Sequence, residues 1–269
     1  MNNFLKKFFA FLRKDLIIAI SYKFNLFMQI LGILFVISLI FFSFNDPMTS
    51  LNQMNDRNVE FFKVLVGIAL IDFMFSSMSV FSREVRLAQT HGTFEALILT
   101  KTSILTILLS SYALTFARSI LRILIYILIS KFLFEIDISL INIPPFLALV
   151  IYNSIPFIGI GLFAASFIIL FKVGNIINFL VGLTSIFFSG IFFSIEVMPD
   201  YLINISNNLP LTISLGLSKE ALFGSLNLLD ASQDLLKVLF MSIFFLPAGI
   251  LLVYYSFKAA KKNGNLNYY

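Results

Sequence analysis

Apolar residues run along this chain in six long blocks separated by short polar stretches, and the block lengths set the first expectation. Residues 24–44 carry no charge at all. Residues 61–82 form a second block, with Lys63 near its start and Asp72 near its middle, and 103–130 a third that contains Arg118 and Arg122. Residues 146–171, with Pro156 inside, then 174–195 and 235–257 complete the set. Each block is close to or above the ~20 residues an α-helix needs to cross a bilayer. Lipid offers no partner to a free N–H or C=O, so only helices and closed barrels span it. Barrel strands would alternate polar and apolar over about 10 residues, and these blocks do not. The pattern predicts an all-α integral membrane protein with six transmembrane helices.

Two polar stretches have a pattern of their own. In residues 1–23, a spacing of about 100° per residue puts Phe4, Leu5, Phe8, Phe9, Leu12 and Leu16 on one face, with Lys6, Lys7, Arg13 and Lys14 opposite. Such a basic amphipathic helix lies in the headgroup plane, against the plainer reading of a positive flank that only fixes topology. Residues 83–98, between the second and third blocks, are too polar for the membrane and too long for a minimal turn. Thr93 is placed to cap a short helix there, with Phe94, Leu97 and Ile98 giving it a one-sided apolar face. That predicts a short cytoplasmic helix offering an apolar contact surface to a partner.

Composition agrees with the pattern. Hydrophobic residues are 59% of the 269 and charged residues 12%, with a mean hydropathy of +0.97. Soluble domains average about 45–50% and about 25%, so this chain could not cover its surface in water. With no cysteine, disulfides and thiolate metal sites are excluded. The net charge of +5 does not point to nucleic acid, because the charges flank the apolar blocks. Twelve Lys and Arg fall on one set of flanks (Lys6, Lys7, Arg13, Lys14, Lys23, Arg83, Arg86, Lys101, Lys172, Lys258, Lys261, Lys262) and five on the other (Arg57, Lys63, Lys131, Lys219, Lys237). Positive flanks stay cytoplasmic, so both termini are expected inside a cell membrane. The first block is too long for a signal-peptide core and precedes five more, so it is read as structure.

Catalytic chemistry has little to work with. His91 is the one histidine, no metal-ligand spacing is present, and no phosphate-binding Gly-x-x-x-x-Gly-Lys-Ser/Thr loop occurs. Gly159-Ile160-Gly161, beside Pro156, reads as close helix packing. Asn178, Gly182, Ser185 and Ser189 fall at i, i+4, i+7 and i+11, either a helix-contact face (between subunits included) or the lining of a polar pathway. Charges inside a span are expensive. Asp72, about 16 Å below Phe61 at one surface, and Arg118, about 22 Å above Ser103 at the other, differ in depth by roughly 8 Å in a core about 30 Å thick. That is within reach of a long Arg side chain, so Asp72 is expected to pair with Arg118 or with Arg122 one turn on. The pair either ties two helices together or serves substrate passage. An alternative function, a lipid-modifying enzyme in the membrane, would use Asp72 and His91.

At these residues a family resemblance enters. Glu84 followed by Gly92-Thr93-Phe94-Glu95-Ala96-Leu97 resembles the "E…GTLExL" segment of ABC-2 type permeases, the membrane subunits of a class of ATP-binding-cassette exporters. Ser189 to Pro199, with Gly190 inside, then Asn208-Leu209-Pro210-Leu211-Thr212 and Lys219 to Gly224, is similar to the family's "SGxFFPxxxxP…lPlt…RxaLxG" stretch. Ser194 stands where the family usually has proline and Lys219 where arginine is common. The resemblance covers essentially the whole chain. It implies a homodimeric half-transporter paired with separate ATPase subunits that carry ATP and Mg, so that this chain binds no cofactor. It also implies that 83–98 is the coupling helix docking into the ATPase, through Glu84, Gly92, Thr93, Phe94, Glu95 and Leu97. The stretch holding Gly190, Pro199 and Pro210 would form short re-entrant helices at the outer face.

Overall fold

A computed structural model describes residues 2–21, 23–44, 54–94, 102–133, 139–172, 176–192, 195–227 and 229–262. All regular structure among them is helical. The helices are α1 (Asn2–Ser21), α2 (Lys23–Phe44), α3 (Met54–Thr90), α4 (Ile104–Leu133), α5 (Ile143–Phe171), α6 (Ile176–Phe188), α7 (Asp200–Ser206), α8 (Pro210–Phe223) and α9 (Ser232–Lys262).

Many of the helix ends follow from local chemistry. Ser103 caps α4, its Oγ accepting the Thr106 N–H at 3.2 Å. Prolines open α5 and α8, where their missing N–H costs nothing. α8 stops at Gly224, whose φ of 72° lets Ser225 N–H reach back to the Glu220 carbonyl at 3.0 Å. α9 carries Asp234 in its first turn and Lys261 and Lys262 in its last, signs that complement the helix dipole.

Four helical segments are long and apolar enough to cross a membrane: Val64–Thr90, Ile104–Phe132, Ile143–Phe171 and Ser232–Lys262. They account for the second, third, fourth and sixth apolar blocks. The first block is helical as α2, with Phe27–Ile40 as its shorter apolar stretch. The fifth differs from expectation. α6 has only 13 residues, about 20 Å at 1.5 Å per residue, less than the ~30 Å hydrocarbon core. The chain bends at Ser189–Gly190, where Gly190 has φ of 71°. A further difference lies at the end of the second block: Arg83–Thr90 continues α3 as unbroken helix, so no separate helix begins at Arg83.

Packing centres on α5, which lies against α3, α6, α8 and α9. Its helix runs unbroken through Pro156. Gly159 and Gly161 let two neighbours approach on different sides, as the Gly-Ile-Gly spacing suggested. A Cβ on Gly159 would strike the α9 backbone at Phe245 and sit 2.6 Å from the Leu246 nitrogen. Gly249 faces it from α9, against the Gly159 carbonyl. A Cβ on Gly161 would come 2.6 Å from the Met78 carbonyl oxygen of α3. Apolar side chains fill the rest in two clusters. One, between α2, α3, α4, α5 and α8, holds Ile37, Leu65, Met74, Ile127, Phe146 and Leu211; the other, nearer the α3–α4 turn, holds Phe81, Val85, Phe94, Leu108, Leu162 and Val253. α1 lies along α4.

Because backbone meets backbone at Gly159, a side chain there cannot be absorbed by rotamer changes. Gly159→Leu should lower the thermal midpoint of the purified protein sharply, overpacking costing about 1–3 kcal/mol or more. Gly32→Ala, with nothing within 4 Å of the added carbon, should leave the midpoint in place. Differential scanning fluorimetry in detergent checks both.

Candidate functional site

Two places collect the residues singled out by sequence. The first is an ionic cluster between α3 and α4. Arg122 Nη1 lies 3.0 Å from Asp72 Oδ2 and donates to Oδ1 at 3.1 Å. Arg122 Nη2 donates to Ser76 Oγ at 2.7 Å and Ser119 Oγ at 3.1 Å. It is Arg122, not Arg118, that reaches the carboxylate. Counting from the turn the two helices share explains this better than counting from the block edges: Asp72 lies 18 residues before Thr90, and Arg122 lies 18 after Ile104. Equal counts along an antiparallel pair mean equal depth. Arg118, half-buried, is one turn nearer the α3–α4 turn. Ser76 and Ser119 escaped the sequence reading, though i+4 from Asp72 and i−3 from Arg122 place each on its partner's face. The cluster cancels a charge that lipid would penalise and spreads the guanidinium over three acceptors.

Polar side chains continue from there along α3. The Tyr112 hydroxyl is buried beside Ser77 and Ser154 but completes no hydrogen bond of good geometry. On α6, Asn178, Gly182, Ser185 and Ser189 are all buried. Asn178 Nδ2 donates to Ser82 Oγ at 3.2 Å and the Met78 carbonyl at 3.3 Å, and Gly182 accommodates the Phe75 ring. The stripe is therefore a helix-contact face, and much of what it contacts is α3 of the same chain.

The second place is the turn that ends α3. Thr93 N–H donates to the Ala88 carbonyl at 3.0 Å and Gly92 N–H to the Gln89 carbonyl at 3.2 Å, the paired bonds that close a helix around a left-handed residue. Gly92 has φ of 65° and open space around it, so its role is conformational rather than steric. The Thr93 hydroxyl donates back to the Ala88 carbonyl at 3.4 Å, so it finishes α3. Phe94, expected to fill a partner's groove, is instead 1% exposed. Its ring meets Phe257 of α9 edge-on at 6.2 Å, inside the second apolar cluster. An aromatic ring beside so apolar a cluster is worth more inside than out. Exposed here are Arg83, Arg86, Leu87 and Thr90, at i, i+3, i+4 and i+7 on one face, together with His91 and Thr93. Glu84 is half-buried; Glu95 and Leu97 lie outside the described residues.

Beyond α6, Gly190, Pro199 and Pro210 mark the bend and the starts of α7 and α8. The Phe188 carbonyl, left over at the end of α6, accepts the Ser206 hydroxyl and the Thr212 hydroxyl, the latter at 3.4 Å. Asn142 Nδ2 donates to the Leu222 carbonyl at 2.8 Å, tying the start of α5 to the end of α8. No group of side chains able to hold a metal ion occurs among the described residues.

Comparison with protein families matches residues 7–223 to the ABC-2 type transporter family. The match spans most of the 269 residues, and the chain belongs to that family: it is a permease-type membrane component of an ABC transporter. A comparison with curated proteins finds no match.

Removing the Asp72 charge strands Arg122 inside the bundle. Asp72→Asn should destabilise by roughly 1–3 kcal/mol, and Asp72→Asn/Arg122→Gln should recover part of the loss. A thermal-midpoint double-mutant cycle that gives simple additivity would argue that the cluster holds nothing together.

Proposed function

We propose that this chain is one half of an ATP-driven exporter in which two copies form the translocation path and two separate ATPase subunits, carrying ATP and Mg, dock on the cytoplasmic ends. In this reading the chain crosses a cell membrane six times with both termini cytoplasmic. α2 supplies the first crossing. α6 supplies the fifth, with α7 and α8 folding back as re-entrant helices to complete the outer half. α1 lies in the headgroup plane: Phe8, Phe11 and Leu12 are half-buried while Lys6, Arg13 and Lys14 are exposed. The observation that carries the proposal is the turn at Gly92 in a chain of this family. It projects from the end of a long span, and its exposed face is polar and basic. Phe94 ties it to α9, so a push on the turn reaches the bundle core.

The coupling surface is accordingly assigned to Arg83, Arg86, Leu87, Thr90 and His91, with Glu84, Gly92 and Thr93 shaping it; the family resemblance adds Glu95 and Leu97. Phe94 anchors it from inside. The enzyme alternative is disfavoured by geometry. Asp72 is engaged by Arg122, and His91 lies 19 residues further along the chain, about 28 Å at helical rise, too far to share a substrate.

These roles separate experimentally. Arg86→Glu and Leu87→Asp should leave the permease folded while reducing co-purification of the ATPase and the ATPase activity it stimulates. Phe94→Ala should lower the thermal midpoint of the permease alone, since emptying a buried Phe site costs about 3–5 kcal/mol. Retention of partner and stimulated hydrolysis in full by both surface variants would remove this face as the docking element. For topology, single cysteines at the exposed Asn204 and Asn207 should react with an impermeant thiol reagent in intact cells, and ones at His91 and Lys258 only after lysis. Labelling of His91 in intact cells would invert the assignment.

A further inference from the structure

At the N-terminal end of α9 a groove of about 670 Å³ opens between that helix and the turn linking α7 to α8. That is within the range of about 300–1,000 Å³ typical of ligand sites. Its wall changes character along the helix axis. Asn208, Gln233 and Lys237, with Leu236 between the last two, line the end nearest the start of α9; Phe240 and Met241 follow; Phe244 and Phe245 line the far end. Gln233, Lys237, Met241 and Phe245 recur every four residues, one stripe of the helix, and from first to last they span about 18 Å at helical rise. The polar-to-apolar order therefore runs along the direction in which a span enters the membrane.

We propose that this groove holds one glycerophospholipid with a zwitterionic headgroup. Three observations support that occupant. The order of the lining matches a molecule that is polar at the membrane surface and hydrocarbon below it, with phenyl rings where the acyl chain lies. Lys237 lines the mouth and Asp234, outside the lining, sets the opposite charge beside it: Lys237 Nζ lies 2.8 Å from Asp234 Oδ1, and the two side chains are still 39% and 44% exposed. A cation and an anion side by side complement a phosphate and an ammonium on one headgroup, and a headgroup with net negative charge gains from Lys237 but is opposed by Asp234. The amides of Asn208 and Gln233 add donors for phosphate or ester oxygens. Boundary lipid is the competing occupant, because Phe240 and Phe244 in the groove are as exposed as Ile243 outside it, so the headgroup chemistry at the mouth is what distinguishes a seated lipid. A lipid seated here would bridge α9 to the α7–α8 turn.

The test uses the full chain in vesicles of phosphatidylethanolamine carrying a diazirine in the acyl chain, with adducts mapped by mass spectrometry. Labelling of Phe240, Met241, Phe244 and Phe245 should exceed that of Leu239 and Ile243 several-fold. In mixed vesicles, phosphatidylethanolamine should outcompete phosphatidylglycerol of the same chains. Asp234→Asn/Lys237→Gln, at an exposed pair the fold does not need, should abolish that preference. Even labelling of all six positions would mean ordinary boundary lipid and overturn the proposal, as would a headgroup preference that survives the double variant. The chain has no cysteine, so Phe240→Cys supplies a further check. Efficient disulfide dimers through that position would mean that a second copy covers the groove instead, also overturning it.

Discussion

Two helix backbones can touch only where neither has a side chain in the way, and the contact between Gly159 of α5 and Gly249 of α9 is the constraint from which the rest of this bundle follows. Lipid tails are as apolar as leucine, so burying a leucine between two spans gains little over leaving it in lipid. Close approach gains more, through dispersion summed over many atoms. Gly161 repeats the device against α3. α5 thereby becomes the inner layer, with α3 on one side and α9 on another, and α8 closes over its beginning through Asn142.

With α3 held in that way, the polar groups inside the bundle acquire defined partners. α4 pairs antiparallel with α3 and brings Arg122 level with Asp72, while α6 lays Asn178 against Ser82 and Met78. Several buried serines need no such partner. Ser130, Ser166, Ser214 and Ser242 each donate to a carbonyl three or four residues back in their own helix, so they cross the apolar interior at small cost. Asn153 and Gln89 are different: both are buried, and their amide atoms find no hydrogen bond. Among the described residues they are costly neutral groups, one on the central α5 and one on α3 beside it.

For a transporter component, the link between the polar turn and the interior matters most. Gly92 ends α3 abruptly, and Phe94 immediately re-enters the core against Phe257. The exposed face of the last turns and the buried face opposite it, Phe81, Val85 and Gln89, belong to one rigid helix. The same helix carries Asp72 of the ionic cluster, 18 residues before its end at Thr90.

Much of this could be read from sequence alone because the membrane is a severe solvent. An apolar block near 20 residues has one stable form in lipid, so the all-helical class, the four long apolar helices and the helix-packing role of Gly159-Ile160-Gly161 followed from pattern. The motif around Gly92 was legible through its family resemblance, whereas the bend at Gly190 fell inside an apolar block that reads as one continuous span. The tertiary structure decided what depends on which faces meet. Residue counts from block edges could not choose between Arg118 and Arg122, because those edges do not mark where the helices end. The polar stripe of α6 looked the same whether it met a second subunit or its own α3. Phe94 read as a surface anchor because a sequence gives the apolar face of a short segment but not what lies beneath it; Phe257, distant in the chain, supplies that.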